Sequence, residues 1–360
     1  MVKNSKLKVL DLFAGCGGLS RGFMDAGFEV VLGVDNEPAA LETFKANHGG
    51  SGVLLTDLFK KDAVGLIKKN LGTTKIDVIV AGPPCQGFSL TGTRNFDDPR
   101  NRLYLTVIES IKTFKPKAFL IENVPGLATL YGGAVKDEII KRLTDVGYSV
   151  TMQILCAADY GVPQMRRRLV FVGLKKSFGE FSFPKPTHNP SSYITCEDAI
   201  SDLSARDADL GIETDRYHSK PLTDYQKKMR TNTAVLYNHV ATRHSDLVKG
   251  VIRLVPEGGN HKDLPPGVGT SRKFNEAWTR YHSKKPSKTI DTGHRNHFHY
   301  KYDRIPTVRE NARLQSFPDN FVFKGSRTAQ NRQVGNAVPP ILGYHIGKKV
   351  KSYLIKGADK

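Results

Sequence analysis

The sequence predicts an α/β fold: a doubly wound, mostly parallel sheet with a second, smaller and irregular domain. Three observations predict it. Short apolar runs of β-type composition alternate with helical patterns through the first half of the chain. Four of these runs end in, or lead into, a reactive side chain: Asp35, Asp57, Cys85 and Glu122. Beyond about Phe183 the long apolar periods stop, and Pro, Gly, Asn, Ser and His become frequent. Ligands of doubly wound sheets bind outside the carboxyl ends of the strands, so the four groups are expected to open onto one crevice.

Leu7 to Phe13 reads as the first strand, followed by the turn Ala14-Gly15-Cys16-Gly17-Gly18 and a helical pattern that stops at Gly27. Glu29 to Asp35 is a second strand ending in a carboxylate. This is the layout of a nucleotide-binding βαβ unit, in which glycines admit a ligand to the backbone and the acid accepts from ribose hydroxyls. The GxGxxG spacing of a dinucleotide oxidoreductase is not met. Gly52 to Asp57 and Ile76 to Ala81 read as further strands, with a helix over 61–70 between them. A helix over 103–114, a strand from Lys117 to Ile121 running into Glu122-Asn123-Val124, and a helix over 134–145 follow. Residues 148–156 and 168–174 complete the set of strands.

Gly82-Pro83-Pro84-Cys85-Gln86-Gly87-Phe88-Ser89 leaves the 76–81 strand. Two prolines remove two backbone donors and fix φ, so the loop departs in one rigid direction with its thiol held at the strand exit. A lone cysteine of this kind is ordinarily structural; the acids at the neighbouring strand ends are what favour a chemical role.

Net charge is +19 with 54 Lys and Arg among 360 residues, which calls for a polyanionic partner. Between 260 and 304 ten Lys/Arg face four Asp/Glu, with Phe274, Trp278, Tyr281, Phe298, Tyr300 and Tyr302 interleaved. That composition is expected of a nucleic-acid surface. His294, His297 and His299 lack the cysteines or carboxylates that a metal site would add, so no metal is expected. Four scattered cysteines make neither a disulfide framework nor a CxxC site and fit a reducing cytoplasm. No run approaches the ~18–20 apolar residues of a membrane span, and the N-terminus has no apolar signal core. A helical pattern over 307–314 and an apolar helix over 341–354 close the chain.

Six segments, in order, resemble the DNA (cytosine-5) methyltransferases of the bacterial restriction–modification type. They are Asp11 to Gly18, Gly82 to Ser89, Glu122-Asn123-Val124, Gln164-Met165-Arg166-Arg167-Arg168, Arg304 to Asp319 and Gln333 to Pro340. The resemblance implies a Rossmann-like, S-adenosylmethionine-dependent catalytic domain over 1–183 and 325–360. Residues 184–324 would then be a target-recognition domain and hinge. It implies S-adenosylmethionine as methyl donor, with Phe13 on the adenosyl group and Gly15 and Gly17 beside the methionyl end. Asp35 would hold the ribose and Asp57 the adenine amino group beside Leu58, while Pro84, Leu103, Asn336 and Ala337 close the pocket. Asn36 stands where some relatives carry a large apolar residue.

C5 of cytosine is a poor nucleophile until a thiolate adds to C6, and Cys85 is the candidate thiolate. Glu122 is suited to N3, with Arg166 and Arg168 orienting it and binding the base carbonyl. These groups cannot reach a stacked base, so the cytosine must be flipped out of the duplex. Thr91, Arg94, Arg100, Gln164 and Thr289 are expected DNA contacts by resemblance, and Arg280 and Arg295 by charge and position. The expected partners are double-stranded DNA and a cognate restriction endonuclease, with no membrane and no metal. A monomer in the bacterial cytoplasm, associated with the nucleoid, is expected. The short N-terminus is expected of a prokaryotic or phage enzyme. The alternatives are a tRNA cytosine-5 methyltransferase, whose Cys-Phe-Thr tripeptide is missing from the middle segment, a catalytically silent DNA-binding relative, and a nicotinamide enzyme.

Overall fold

Seven strands rich in Val, Ile and Leu form the central sheet of a computed structural model that describes residues 6–84, 102–206, 209–231, 233–270, 277–293 and 296–356. They are β1 (Lys8–Leu12), β2 (Glu29–Asp35), β3 (Gly52–Leu55), β4 (Val78–Ala81), β5 (Ala118–Asn123), β6 (Tyr148–Cys156) and β7 (Arg167–Lys175), in the spatial order β3-β2-β1-β4-β5-β7-β6. β1 to β5 pair in parallel, and β7 runs antiparallel between β5 and β6. All four residues of β4 and four of the five in β1 are buried, as strands covered on both faces require.

From β1 the chain moves outward one way through β2 and β3, then returns to β4 and continues the other way. The order therefore reverses between β1 and β4, and the crevice of a doubly wound sheet opens there. Helices α1 (Gly18–Asp25), α2 (Pro38–Asn47), α3 (Ala63–Leu71), α4 (Arg102–Phe114) and α5 (Ala134–Asp145) connect the strands. One core joins α3, α4 and α5 to the sheet through Ile67, Val107, Ile111, Ile139, Ile79 and Phe119. The C-terminal helix Pro340–Lys356 lies on α1, where Gly343 and Gly347 leave room. A Cβ at Gly347 would already stand 3.2 Å from Ala26 Cβ.

The chain divides into two compact units, Met1–Cys156 with Arg167–Lys185 and Leu342–Lys360, and Ala157–Arg166 with Pro186–Ile341. The expected partition kept 157–166 and 325–341 with the sheet; both fall in the second unit. Inside that unit helices α6 (Cys196–Ile200), α7 (Asp224–Met229), α8 (Asp246–Leu254), α9 (Val308–Leu314) and α10 (Arg327–Asn336) join two-stranded ribbons. All seven residues of α9 are buried, three of them charged. Arg313 donates through Nε and Nη2 to Asp319 at 2.9 and 2.7 Å, and through Nη1 to Asp202. Arg304 grips Glu310 with two bonds of 2.8 and 2.7 Å, while Glu310 also caps the helix by accepting from Thr307 N. The Arg304 guanidinium holds the Glu310 carboxyl far below the usual carboxylate range against the opposing effect of burial.

One expectation for the middle segment is corrected here. Trp278, Tyr281 and Phe298 do not form a nucleic-acid surface: all three are buried, and Trp278 and Phe298 pack with Ile252, Val255 and Ile305 in the unit's small core. A segment this poor in aliphatic residues has to build its core from its rings. Buried His299 packs against Tyr300 and Tyr302, 3.7 Å from Glu310.

Candidate active site

The turn after β1 is built from left-handed residues. Phe13, Gly15 and Gly17 have φ of 60, 53 and 90°. Gly17 has no alternative, since a Cβ there would lie 2.2 Å from His48 Cε1. At Gly15 the direction is open, with nothing within 4 Å of a Cβ. Gly15 N donates to Asp35 Oδ2 at 2.8 Å and Glu37 N to Asp35 Oδ1 at 2.9 Å, so the acid ending β2 is locked to the turn. Burial raises the Asp35 pKa, and the hydrogen bonds from these amides oppose it. Beneath the turn, Asp11 accepts from Ser20 Oγ at 2.6 Å and is pushed up to about 7, chiefly by burial. Cys16 is also buried, and its thiol is pushed up to about 12 by desolvation, which disqualifies it as a thiolate.

Asp57 stands two residues past β3, half-buried, with Oδ1 accepting from Phe59 N at 2.9 Å. Leu58 is core, and its carbonyl accepts from Thr106 Oγ1 at 2.9 Å. Asn36 is exposed, Leu103 packs on the core, and Pro84 is exposed at the exit from β4.

Glu122 lies in β5 next to that exit; a Cβ on Gly82 would sit 3.5 Å from its Oε2. Arg168 Nε meets Glu122 Oε1 at 2.8 Å, with both side chains 13% exposed. Desolvation lowers the Arg168 pKa, and the Glu122 charge opposes this. Asn123 does work that no sequence pattern marks. Its Nδ2 donates to Pro83 O at 2.8 Å and to Tyr104 Oη at 3.1 Å, and its Oδ1 accepts from Val124 N. This amide ties the Glu-Asn-Val strand end to the Pro-Pro segment. Cys85, Thr91, Arg94, Arg100 and Arg295 lie outside the described residues.

The second unit holds the other expected residues. Arg166 is buried and donates through Nη2 to Gly335 O at 2.8 Å. Thr289 donates to Met165 O at 3.0 Å beside the short pairing of Gln164–Met165 with Ser287–Lys288. Asn336 is exposed at the end of α10, and Ala337 follows it. Two expected DNA contacts, Gln164 and Arg280, lie inside the unit. Gln164 is fully buried, donating to Gln315 Oε1 and Leu314 O and accepting from Ile290 N. Arg280 is buried too, and its guanidinium donates to Ile252 O, Val255 O, His299 O and Asp303. Both side chains are engaged inside the unit. No metal-holding group of His, Cys, Asp or Glu occurs among the described residues, and no helix among them is long and apolar enough to cross a membrane.

Sheet order, glycine turn and acids at neighbouring strand ends define a Rossmann-like methyltransferase class. The chain belongs to the C-5 cytosine-specific DNA methylases, whose family model matches residues 7–352, and it is a DNA (cytosine-5-)-methyltransferase. It is similar to the type II methyltransferase M1.HphI of Haemophilus parahaemolyticus, 40% identical over 96% of this chain and 86% of the relative. M.DdeI of Desulfomicrobium norvegicum is 36% identical over 96% and 89%. Among solved structures, a prophage-encoded E. coli protein described as a DNA modification methyltransferase superposes with a TM-score of 0.80 at 27% identity, covering 97% of this chain and 99% of that one. The family uses S-adenosylmethionine as its methyl donor.

Proposed function

We propose that this chain methylates C5 of a flipped-out cytosine in duplex DNA through a covalent bond between Cys85 Sγ and C6. One observation carries the reading: Glu122, paired with Arg168, stands against Gly82, three residues before Cys85, and Asn123 pins the chain at Pro83. Thiolate addition to C6 pushes electron density onto N3 and C5. Glu122 serves N3, and Arg168 fixes the carboxyl's orientation through a charge-assisted bond. Arg166 has the fork suited to the base carbonyl.

S-adenosylmethionine fits the turn: the open direction at Gly15 leaves space for the methionyl end, and Asp35 presents a carboxylate next to it. When bound, it supplies an electrophilic methyl group. Phe13 would cover the adenosyl group, Asp35 hold the ribose, Asp57 the adenine amino group, and Leu58, Pro84, Leu103, Asn336 and Ala337 close the pocket. Exposed Asn36 offers that adenine edge little apolar cover. Thr91, Arg94, Arg100, Thr289 and Arg295 are the DNA contacts of the reading.

The relatives' names point to the modification half of a type II restriction–modification system, which makes a cognate endonuclease a partner in the cell and not in the reaction. A monomer in the bacterial cytoplasm completes the reading. Cys85→Ala tests it: methyl transfer from labelled donor should vanish while DNA and cofactor binding persist. Turnover within tenfold of wild type would remove Cys85 from the reaction.

A further inference from the structure

We propose that the edge of the sheet opposite the reaction site carries a second duplex-binding surface. A groove of about 740 Å³ opens there, between the C-terminal ends of α4 and α5 and the end of β7. Five cations line it, Lys112, Lys115, Arg142, Lys175 and Lys176, against two acids, Glu109 and Asp145. Its floor is apolar, with Ile108, Ile111 and Tyr148 all buried. A low-dielectric wall behind a net positive lining focuses its field into the groove.

A second groove of about 470 Å³ continues from it, sharing Lys176 and Ser177 and adding Lys349 and Lys356; none of its lining residues is acidic. The cations therefore follow a path from α4 across β7 to the C-terminal helix. A path of point charges suits a linear polyanion better than a compact one.

The surface cannot be part of the reaction crevice. Ala118, at the groove end of β5, pairs with Leu174 next to Lys175, and Glu122 lies four residues further along the strand. That separation is about 13 Å at the rise of a strand. For an enzyme whose substrate is long DNA, phosphates of a second segment are the polyanion this surface fits, held without reading sequence.

The test neutralises four exposed lysines together, Lys112→Gln, Lys115→Gln, Lys176→Gln and Lys356→Gln, none of them placed in the reaction. The probe is a 40-base-pair duplex of A·T pairs only, with binding stoichiometry and salt dependence measured on wild type and variant. Wild type should bind two duplexes and the variant one. The wild type's second binding step should carry a slope of log affinity against log salt of about −3.6 or steeper, given ~0.9 per phosphate contact and four lysines, and the variant should lack that step. Single-turnover methylation of a short duplex carrying the mapped target should stay within twofold of wild type. Equal stoichiometry and slope in the two proteins would overturn the proposal. So would displacement of the second duplex by polyglutamate at matched charge, which would mark the surface as one for acidic protein. Binding is read without catalysis, so the result stands whether or not Cys85 is the nucleophile.

Discussion

Asp35 and Glu122 end two strands of one sheet, yet the proposed reaction gives them different work. Asp35 is locked to the glycine turn by two amide bonds, while Glu122 faces the Arg168 guanidinium. Asp35→Ala should therefore raise the apparent cofactor constant first. Glu122→Gln should lower turnover by about 100-fold or more, as losing an acid–base group does, with little change in cofactor affinity. Steady-state kinetics on both variants checks the split, and a shift of the same parameter in both would contradict it. Deep in the turn, burial pushes the Asp11 carboxyl up from the usual carboxylate range to about 7. The folded state then holds a proton that the unfolded chain has lost, so Asp11's contribution to stability declines as pH rises from about 4 to 7. His48 works the other way: burial lowers it to about 4, so its contribution is lost as pH falls from about 6.5 to 4. In Asp11→Asn the first effect disappears, and the gain in urea stability from pH 5 to 7 should exceed that of wild type by about 2 kcal/mol. An identical pH profile would mean that Asp11 is ionised in the fold. Residue types at strand ends were legible because the chemistry demands them. Gln164 and Arg280 were not, since their partners Gln315 and Ile252 lie 151 and 28 residues away.

Elements follow the same division. The strands and α1, α3, α4 and α5 were legible because each carries an apolar period matched to its geometry. Helix α10, Arg327–Asn336, has almost no apolar residues to mark a face; it is placed by capping at Ser326 and by its buried Gln333 donating to Lys324 O. Helix α9 was read as a helix, but nothing local says that its charges are inside. Their partners Asp202 and Asp319 come from other segments. Arg313→Met should cost about 3–5 kcal/mol, because two carboxylates would stay buried with weaker compensation. Urea unfolding of the variant measures this. A loss below 1 kcal/mol would mean that the remaining arginines, Arg230 on Asp202 and Arg309 on Asp319, suffice.

At the scale of the whole molecule, a net charge of +19 and a sheet with its crevice between β1 and β4 suit the proposed reaction, in which duplex DNA is brought to a site that acts on one cytosine turned out of its stack. The charge and the sheet order were legible in the chain. Which arginines read bases was not, because the middle segment follows no simple period and buries several of its rings and cations. The central claim is covalent: Cys85 adds to C6. It is tested most directly with duplex DNA carrying 5-fluorocytosine in place of every cytosine, incubated with protein and S-adenosylmethionine and then denatured. Fluorine at C5 cannot leave as a proton does, so wild type should remain attached to the DNA through denaturation, in a donor-dependent adduct that Cys85→Ala cannot form. An adduct of equal yield with Cys85→Ala, or none with a wild-type protein that methylates ordinary DNA, would contradict the account.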